Sequence, residues 1–324
     1  MTMAKLADLA GVSVSTVSKA FSGSGEISEE KRQHIFRIAK ENGCYDKYCK
    51  SVYTGIVIAV ICTEYKSSRH AQMLSLIEEK IKKHNGIMIV SSTDFSDEKA
   101  KSLLEFFSEY SKVDGIICLN NLPEGFKCSV PVVVLAKNDS YNSIIAYEEK
   151  AVDEAIKTLK EYGHRDIAII GERLTSSRRE VFVDTIKKHG LKLNSDFVIE
   201  SEKRYEEAGY TEMNSLFEKG TLPTAVVAGY DNIAIGVMKS IYEHGFRIPD
   251  DFSVVGYDDI NELPYLDVPL ASISPCVDEL CEIIVEFMFD RIKKCYSKEL
   301  KTIKVNKQFV KRESVGKAPE RKNK

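Results

Sequence analysis

From Ile56 onward the chain repeats one unit. Strand-like apolar runs start at Ile56, Ile87 and Asp114, and again at Asp166, Asp196, Thr224 and Ser253, each followed by an amphipathic stretch. The spacings are 31 and 27 residues in the first set and 30, 28 and 29 in the second, which is the length of a βα unit. Two doubly wound parallel sheets follow, an α/β architecture in two lobes with the break expected near Tyr162-Gly163-His164. Ligands of such sheets collect beyond the carboxyl ends of the strands, so two facing sheets make a cleft between lobes. The stretch from about Asp278 to Lys294 reads as a helix and Thr302–Val310 as a strand. Both follow the two lobes and can return across the junction.

The first 45 residues have a different pattern, that of three short helices. Thr2 can cap one through Ala10, Gly11 breaks it, Ser13 caps a second through about Phe21, and Ser28 caps a third to about Asn42. Leu6, Leu9, Val12, Val17, Phe21, Ile35 and Ile38 fall on faces that can share a small core. The first two helices and their glycine turn have the layout of a helix-turn-helix. Within "AGVSVSTVSKAF", Ser13, Ser15, Thr16 and Ser18 are poor interior helix formers, because their hydroxyls compete for backbone partners. A surface that touches a polar partner explains them.

Composition narrows the class. Of 324 residues, 43% are hydrophobic and 29% charged, enough for two or three domains with full cores. The apolar runs are too short to span a bilayer and the N-terminus has no apolar signal-peptide core, so a cytoplasmic location is expected. The eight cysteines form no C-x-x-C pair; Cys62 and Cys118 sit in strand-like runs where a thiol packs as a small hydrophobe. Net charge is -3, yet residues 1–50 carry +2 and the remainder -5, a balance that permits a DNA-binding head.

Specific motifs go further. "MAKLADLAGVSVSTVSKAFSGSGEISEEKRQHIFRIAKENGC" resembles the headpiece of the lactose-repressor (LacI/GalR) family, through A-x-x-A-G-V-S-x-x-T-V-S-[RK] at Ala7–Lys19 and the I-S-x-x-x-R run at Ile27–Arg32. The match continues in "GHRDIAIIGE", "PTAVVAGYDNIAIGVM", "GFRIPDDFSVVGYDDI", "VPLASI" and "VKRES". The resemblance implies a homodimeric transcriptional regulator, most often a repressor. Operator DNA is bound by the headpiece, and a small-molecule effector, a sugar or sugar derivative, by the cleft.

Site residues follow from that resemblance. Thr2, Ser13, Thr16 and Ser18 are assigned to DNA, the last three facing phosphates, while Val14, Ser15 and Lys19 align with base-reading positions. Val14 suits a thymine methyl, and Lys19 stands where the family often has arginine, replacing a fork with a point charge. Effector contacts are expected from Arg178 and Asp258, a pair able to bind hydroxyls bidentately. Tyr230 replaces a frequent asparagine, Tyr147 falls where an aspartate is common, and Arg204 or Tyr205 occupies the region of a stacking aromatic. The linker departs from the family: "YDKYCKSVYTGIVIAV" reaches the first strand in about ten residues, without the usual hinge leucine. It is either a hinge in which Val52 or Tyr53 wedges the minor groove or a short strap.

The expected domains are a headpiece at 1–45, a linker at 46–55, a two-lobed domain at 56–314 and a basic disordered tail at 315–324. Lobe 1 takes about 56–160 with the helix 278–294, and lobe 2 about 161–274 with 302–314. No catalytic set, metal or cofactor is expected. "HRD" at His164–Asp166 resembles a kinase loop without its asparagine or glycine-rich partner, and His164 is read as a lobe-junction residue. The aspartate pairs at 250–251 and 258–259 lack calcium-loop spacing. The competing reading is a sugar receptor of the periplasmic-binding type without a DNA role.

Overall fold

The computed structural model describes residues 1–22, 26–48, 55–111, 113–294 and 299–320. The chain divides into two units, Met1–Ile56 and Val57–Lys324.

The smaller unit holds α1 (Met3–Ala10), α2 (Val14–Phe21), α3 (Glu29–Glu41) and α4 (Tyr45–Tyr48). The hydroxyls of Thr2, Ser13 and Ser28 accept the backbone N–H groups of Lys5, Thr16 and Lys31, each satisfying a donor that a helix start leaves unpaired. Leu6, Val17, Phe21 and Ile35 are buried together. Leu9, expected with them, is 49% exposed. The inward face of α1 is set by Leu6, Ala7 and Ala10, and a helical step of 100° per residue carries Leu9 away from it. The expected linker also begins too early. Tyr45 and Tyr48 of α4 close on Phe21, with ring centroids 5.9 Å apart in both pairs, and the Tyr48 hydroxyl donates to the Met1 carbonyl at 2.6 Å. Aromatic burial, then, keeps these residues in the headpiece. Val52 and Tyr53, with the rest of 49–54, lie outside the described residues.

In chain order the larger unit runs β1 (Val57–Cys62), α5 (Ser68–Lys83), β2 (Ile87–Ser92), α6 (Asp97–Glu105), β3 (Gly115–Cys118), β4 (Val132–Val134), β5 (Asn142–Tyr147) and α7 (Glu149–Glu161). It continues with β6 (Ile167–Glu172), α8 (Ser176–Lys188), β7 (Val198–Ser201), α9 (Tyr205–Lys219), β8 (Ala225–Ala228), α10 (Asp231–Glu243) and β9 (Ser253–Tyr257). Last come β10 (Ala271–Ser274), α11 (Val277–Lys293), β11 (Thr302–Asn306) and β12 (Gln308–Val310). Two six-stranded sheets result, ordered β11-β5-β4-β3-β1-β2 in lobe 1 and β12-β10-β9-β8-β6-β7 in lobe 2. Among the described residues all pairings are parallel except β12 on β10. β1 and β8, inside their sheets with helices on both faces, are the unbroken apolar runs such positions require.

Two lobe assignments, the tail and the place of His164 differ from the sequence reading. α7 packs in lobe 2, where Ala151, Val152, Ala155, Ile156 and Leu159 join Phe182 and Tyr257 in one core. The chain therefore changes lobe between Tyr147 and Glu149, well before Tyr162, because the apolar face of α7 fits the lobe 2 sheet. Thr302–Val310 is not one strand: β11 pairs with β5 in lobe 1 and β12 with β10 in lobe 2. Residues Val315–Ala318 are packed, not free. Val315 is buried, and the N–H groups of Gly316 and Ala318 donate to Ser253 Oγ and the Tyr162 carbonyl. His164 is fully buried among Thr224, Ser253 and Gly316 at the foot of lobe 2, away from the lobe junction expected for it.

The cleft is framed by helix packing. A Cβ on Gly209 of α9 would strike the Ile233 backbone, and one on Gly236 of α10 the Glu206 backbone, so two glycines let these helices touch main chain to main chain. Their N-termini, Tyr205 and Asp231, are thereby fixed side by side.

Candidate functional site

The loops beyond the strand ends bring four segments of lobe 2 together with three of lobe 1. Arg178 of α8 and Asp258, which follows β9, form a fork: Nη2 to Oδ1 at 3.0 Å and Nη1 to Oδ2 at 3.2 Å. Arg178 Nη1 also donates to the Gly229 carbonyl at 2.8 Å, and its guanidinium lies 3.9 Å over the Tyr257 ring. From lobe 1, Arg69 of α5 approaches the same carboxylate at 3.4 Å. Burial raises the Asp258 pKa, but the two guanidiniums overcome it and hold the carboxyl below its usual range.

Asp258 is held in an unusual backbone. Its φ is 98° and that of Asp259 is 56°, a region that L residues enter at a cost. Asp231 secures this turn. Its carboxylate accepts the Ile260 N–H at 3.0 Å and the Ser272 hydroxyl at 2.7 Å, while Ser272 Oγ accepts the Asp259 N–H at 3.1 Å. Desolvation pushes the Asp231 carboxyl well above its ordinary pKa.

A second network spans the lobes. Arg204 directs Nε to both Glu172 oxygens, at 3.1 and 3.2 Å, and Nη1 and Nη2 to Glu64 of lobe 1, at 3.1 and 2.7 Å. Tyr230 donates to Glu172 at 2.7 Å and accepts the Tyr205 N–H at 2.9 Å. Two neutral contacts add to the closure, Gln72 to Asn261 at 2.8 Å and Asn232 to Ser68 at 3.4 Å.

His70 and Asn120 complete the wall. Nδ1 of His70 faces the Glu64 carbonyl at 3.2 Å, and a carbonyl only accepts, so Nδ1 carries the proton. Burial, aided by Arg69, lowers the His70 pKa to about 4. The ring is neutral and its buried Nε2 is an acceptor without a partner. Asn120 Oδ1 is likewise buried and unpartnered.

The cleft thus gathers Arg178, Asp258, Arg204, Tyr205 and Tyr230 of the expected effector residues. Tyr147 is not among them. It ends β5, next to the β11 edge of lobe 1, and its ring meets Lys304 at 5.7 Å; the cleft is built beyond β3, β1 and β2, on the far side of β4 from β5. Sequence reasoning missed Glu64, Arg69, Glu172 and Asp231. Each ends a strand, sits just past a strand end or opens a helix, a positional signal that could have found them.

In the smaller unit, Ser13, Val14, Ser15 and Ser18 are exposed, Thr16 and Lys19 half-buried, and Val17, Ala20 and Phe21 turned inward. The polar residues and Val14 therefore share the outer face of α2, with Thr2 exposed at the start of α1. Lys19 pairs with Glu26, whose pKa is lowered by this hydrogen bond.

Comparison with known proteins agrees with both halves. Residues 2–45 match the model of bacterial regulatory proteins, lacI family, and residues 156–315 that of a periplasmic binding protein-like domain. The HTH-type transcriptional repressor PurR of Pasteurella multocida is 30% identical over 331 residues, covering 97% of this chain and 98% of the relative. The ribose operon repressor of Haemophilus influenzae is 30% identical over 97% and 98%. Among solved structures, the Lac repressor dimer bound to operator and the anti-inducer ONPF superposes with a TM-score of 0.70 at 21% identity, covering 98% of this chain and 99% of that one. A LacI family regulator from Enterococcus faecium with bound ribose gives 0.69 at 22% identity, covering 80% and 98%.

Proposed function

Because the chain belongs to the lacI family of bacterial regulatory proteins, we propose that it is a cytoplasmic homodimeric repressor whose operator affinity is set by an effector bound between its lobes. Two headpieces read a two-fold symmetric site, since one helix reaches too few base pairs for a specific address. Thr2, Ser13, Thr16 and Ser18 meet phosphates, and Val14, Ser15 and Lys19 meet base edges. Such a headpiece has no use in a receptor without a DNA role, and the chain is not read as an enzyme.

The observation that carries the effector half is the buried Arg178–Asp258 fork, whose donors and acceptors suit a pair of hydroxyls. Charge further selects the effector. Arg69, Arg178 and Arg204 face Glu64, Glu172 and Asp258, and His70 is neutral. A ligand with a large net charge would unbalance these pairs, whereas an uncharged polyol such as a sugar would not. His70 Nε2 and Asn120 Oδ1 each await a donor, which hydroxyls supply. DNA and effector must then alter each other's affinity by the same factor.

The test is selection of random duplex DNA by the full chain at near-physiological salt, followed by calorimetric titration of sugars with and without the selected duplex. Enrichment of a symmetric site and an effector affinity that changes with DNA support the proposal. No enriched sequence, or identical effector affinity in both titrations, refutes the corresponding half.

A further inference from the structure

The charged floor of the cleft has little free space, about 110 Å³, whereas an adjoining chamber reaching into lobe 1 has about 320 Å³. Thr63, Phe95, Asn120 and Leu174 line both. The chamber is cut into the lobe 1 core, against Ile61, Cys62, Ala100, Cys118 and Leu122, all buried. Its two thiols are neutral, since burial raises Cys62 to about 11 and Cys118 well above its ordinary value. Among the described residues lining it, Asp97 carries the one charge. The Ser96 hydroxyl is engaged by the Lys99 N–H at 3.1 Å.

The mouth is apolar from both sides. Phe95 of lobe 1 is 45% exposed and Leu174 of lobe 2 is 51% exposed, and both line the passage between floor and chamber. Phe95 follows Asp94 in a left-handed backbone, with φ of 61° and 50°, which non-glycine residues avoid. This loop is therefore held in a disfavoured shape that places the Phe95 ring 5.0 Å from the Arg204 guanidinium. Apolar cavities of about 150 Å³ already hold benzene.

We propose that the effector is a two-part molecule, with a hydroxyl-bearing head at the Arg178–Asp258 fork and an apolar group the size of a phenyl ring in the lobe 1 chamber, past Phe95 and Leu174. The inference deepens the reading of the cleft as an effector site and rests on it for the head. The apolar group lies against the wall of Ile61, Cys62, Ala100, Cys118 and Leu122, while Thr63, Thr93, Asn120 and Asn121 line the rest of the chamber and leave Asn120 Oδ1 open to a donor on the ligand.

Two measurements on the full chain separate the parts. The first follows the fluorine line of 4-fluorobenzyl alcohol, whose broadening by the wild-type protein is expected to fall at least about tenfold in Leu174→Glu and in Ala100→Phe. Leu174 is half exposed, so its replacement tests the mouth even where Ala100→Phe disturbs the core. No broadening by the wild type, or equal broadening by both variants, overturns the chamber. The second compares methyl and phenyl glycosides of each of several hexoses by calorimetry. A phenyl glycoside bound at least about tenfold more tightly than its methyl partner, with the gain lost in Leu174→Glu, supports the proposal. Equal affinities overturn the chamber and leave the effector cleft standing. A ring probe that binds in the chamber while no glycoside binds overturns the hydroxyl-bearing head and leaves the chamber standing.

Discussion

Lys307 is the single residue between β11 in lobe 1 and β12 in lobe 2, and its ammonium lies 2.5 Å from Glu148, the residue at which the chain first passes between the same lobes. Both also meet the Tyr257 hydroxyl, and the Tyr257 ring supports Arg178. The two crossings are thus tied to each other and to the effector fork.

Breaking this tie has a defined consequence. Burial, aided by Arg178, lowers the Lys307 pKa to about 8. The unfolded chain therefore binds more protons between about pH 8 and 10.5, and the Lys307 contribution to stability rises with pH over that window. Lys307→Met leaves the Glu148 carboxylate buried and is expected to cost about 3 kcal/mol, most of it recovered in Lys307→Met with Glu148→Gln. Urea denaturation at several pH values checks both; a single variant as stable as the double one would refute the tie.

His70 predicts an acid-side response. Its folded pKa of about 4 lies below the ordinary 6.5, so the unfolded chain binds the extra proton between those values. Stability falls as pH drops through this window, by about 3 kcal/mol at most. The depressed carboxyls of Glu64 and Asp258 add their loss only below their ordinary pKa near 4. His70→Gln should flatten the slope between pH 6.5 and 4 in chemical denaturation. An unchanged slope would mean that His70 is protonated in the fold.

The fork predicts a separation of functions. Arg178→Ala removes two charged hydrogen bonds from an effector head and should weaken effector binding by about a hundredfold or more. Operator binding without effector should stay within about threefold of wild type, since Arg178 belongs to the larger unit. Calorimetry and a gel-shift titration on the same preparations read the two. Equal loss in both would point to unfolding.

Lys19 predicts a change in sequence preference. Lys19→Ala should relax selection at one base pair of each half-site, losing about 1–3 kcal/mol of discrimination there. Glu26→Gln, which releases Lys19 from its pair, should raise affinity for any duplex a few-fold at low salt and less at high salt. Binding-site selection repeated on each variant gives the answer. An unaltered consensus for Lys19→Ala would remove Lys19 from base reading.

How much of this was legible depends on range. Thr2, Ser13 and Ser28 announce α1, α2 and α3 because a cap is a contact over three residues, and the apolar runs at β1, β6 and β8 announce strands because central strands are apolar on both faces. β4, β5 and β10 escaped notice, because they fall outside the regular βα spacing on which the strand reading rested. Local pattern also cannot say which sheet a helix covers, and α7 went to the wrong lobe for that reason.

The sequence by itself determined the helix-turn-helix head, the two βα repeats and the fork residues Arg178 and Asp258, all written in short spacings and motifs. Only the tertiary structure decided that Glu64 would answer Arg204 across the cleft, 140 residues away, that Tyr147 would stand outside it, and that Lys307 would divide one apparent strand between two sheets. Those outcomes depend on which faces pack and which charges are left to find one another once the sheets have formed. Such pairings are set by burial and distance in space, and no local spacing encodes them.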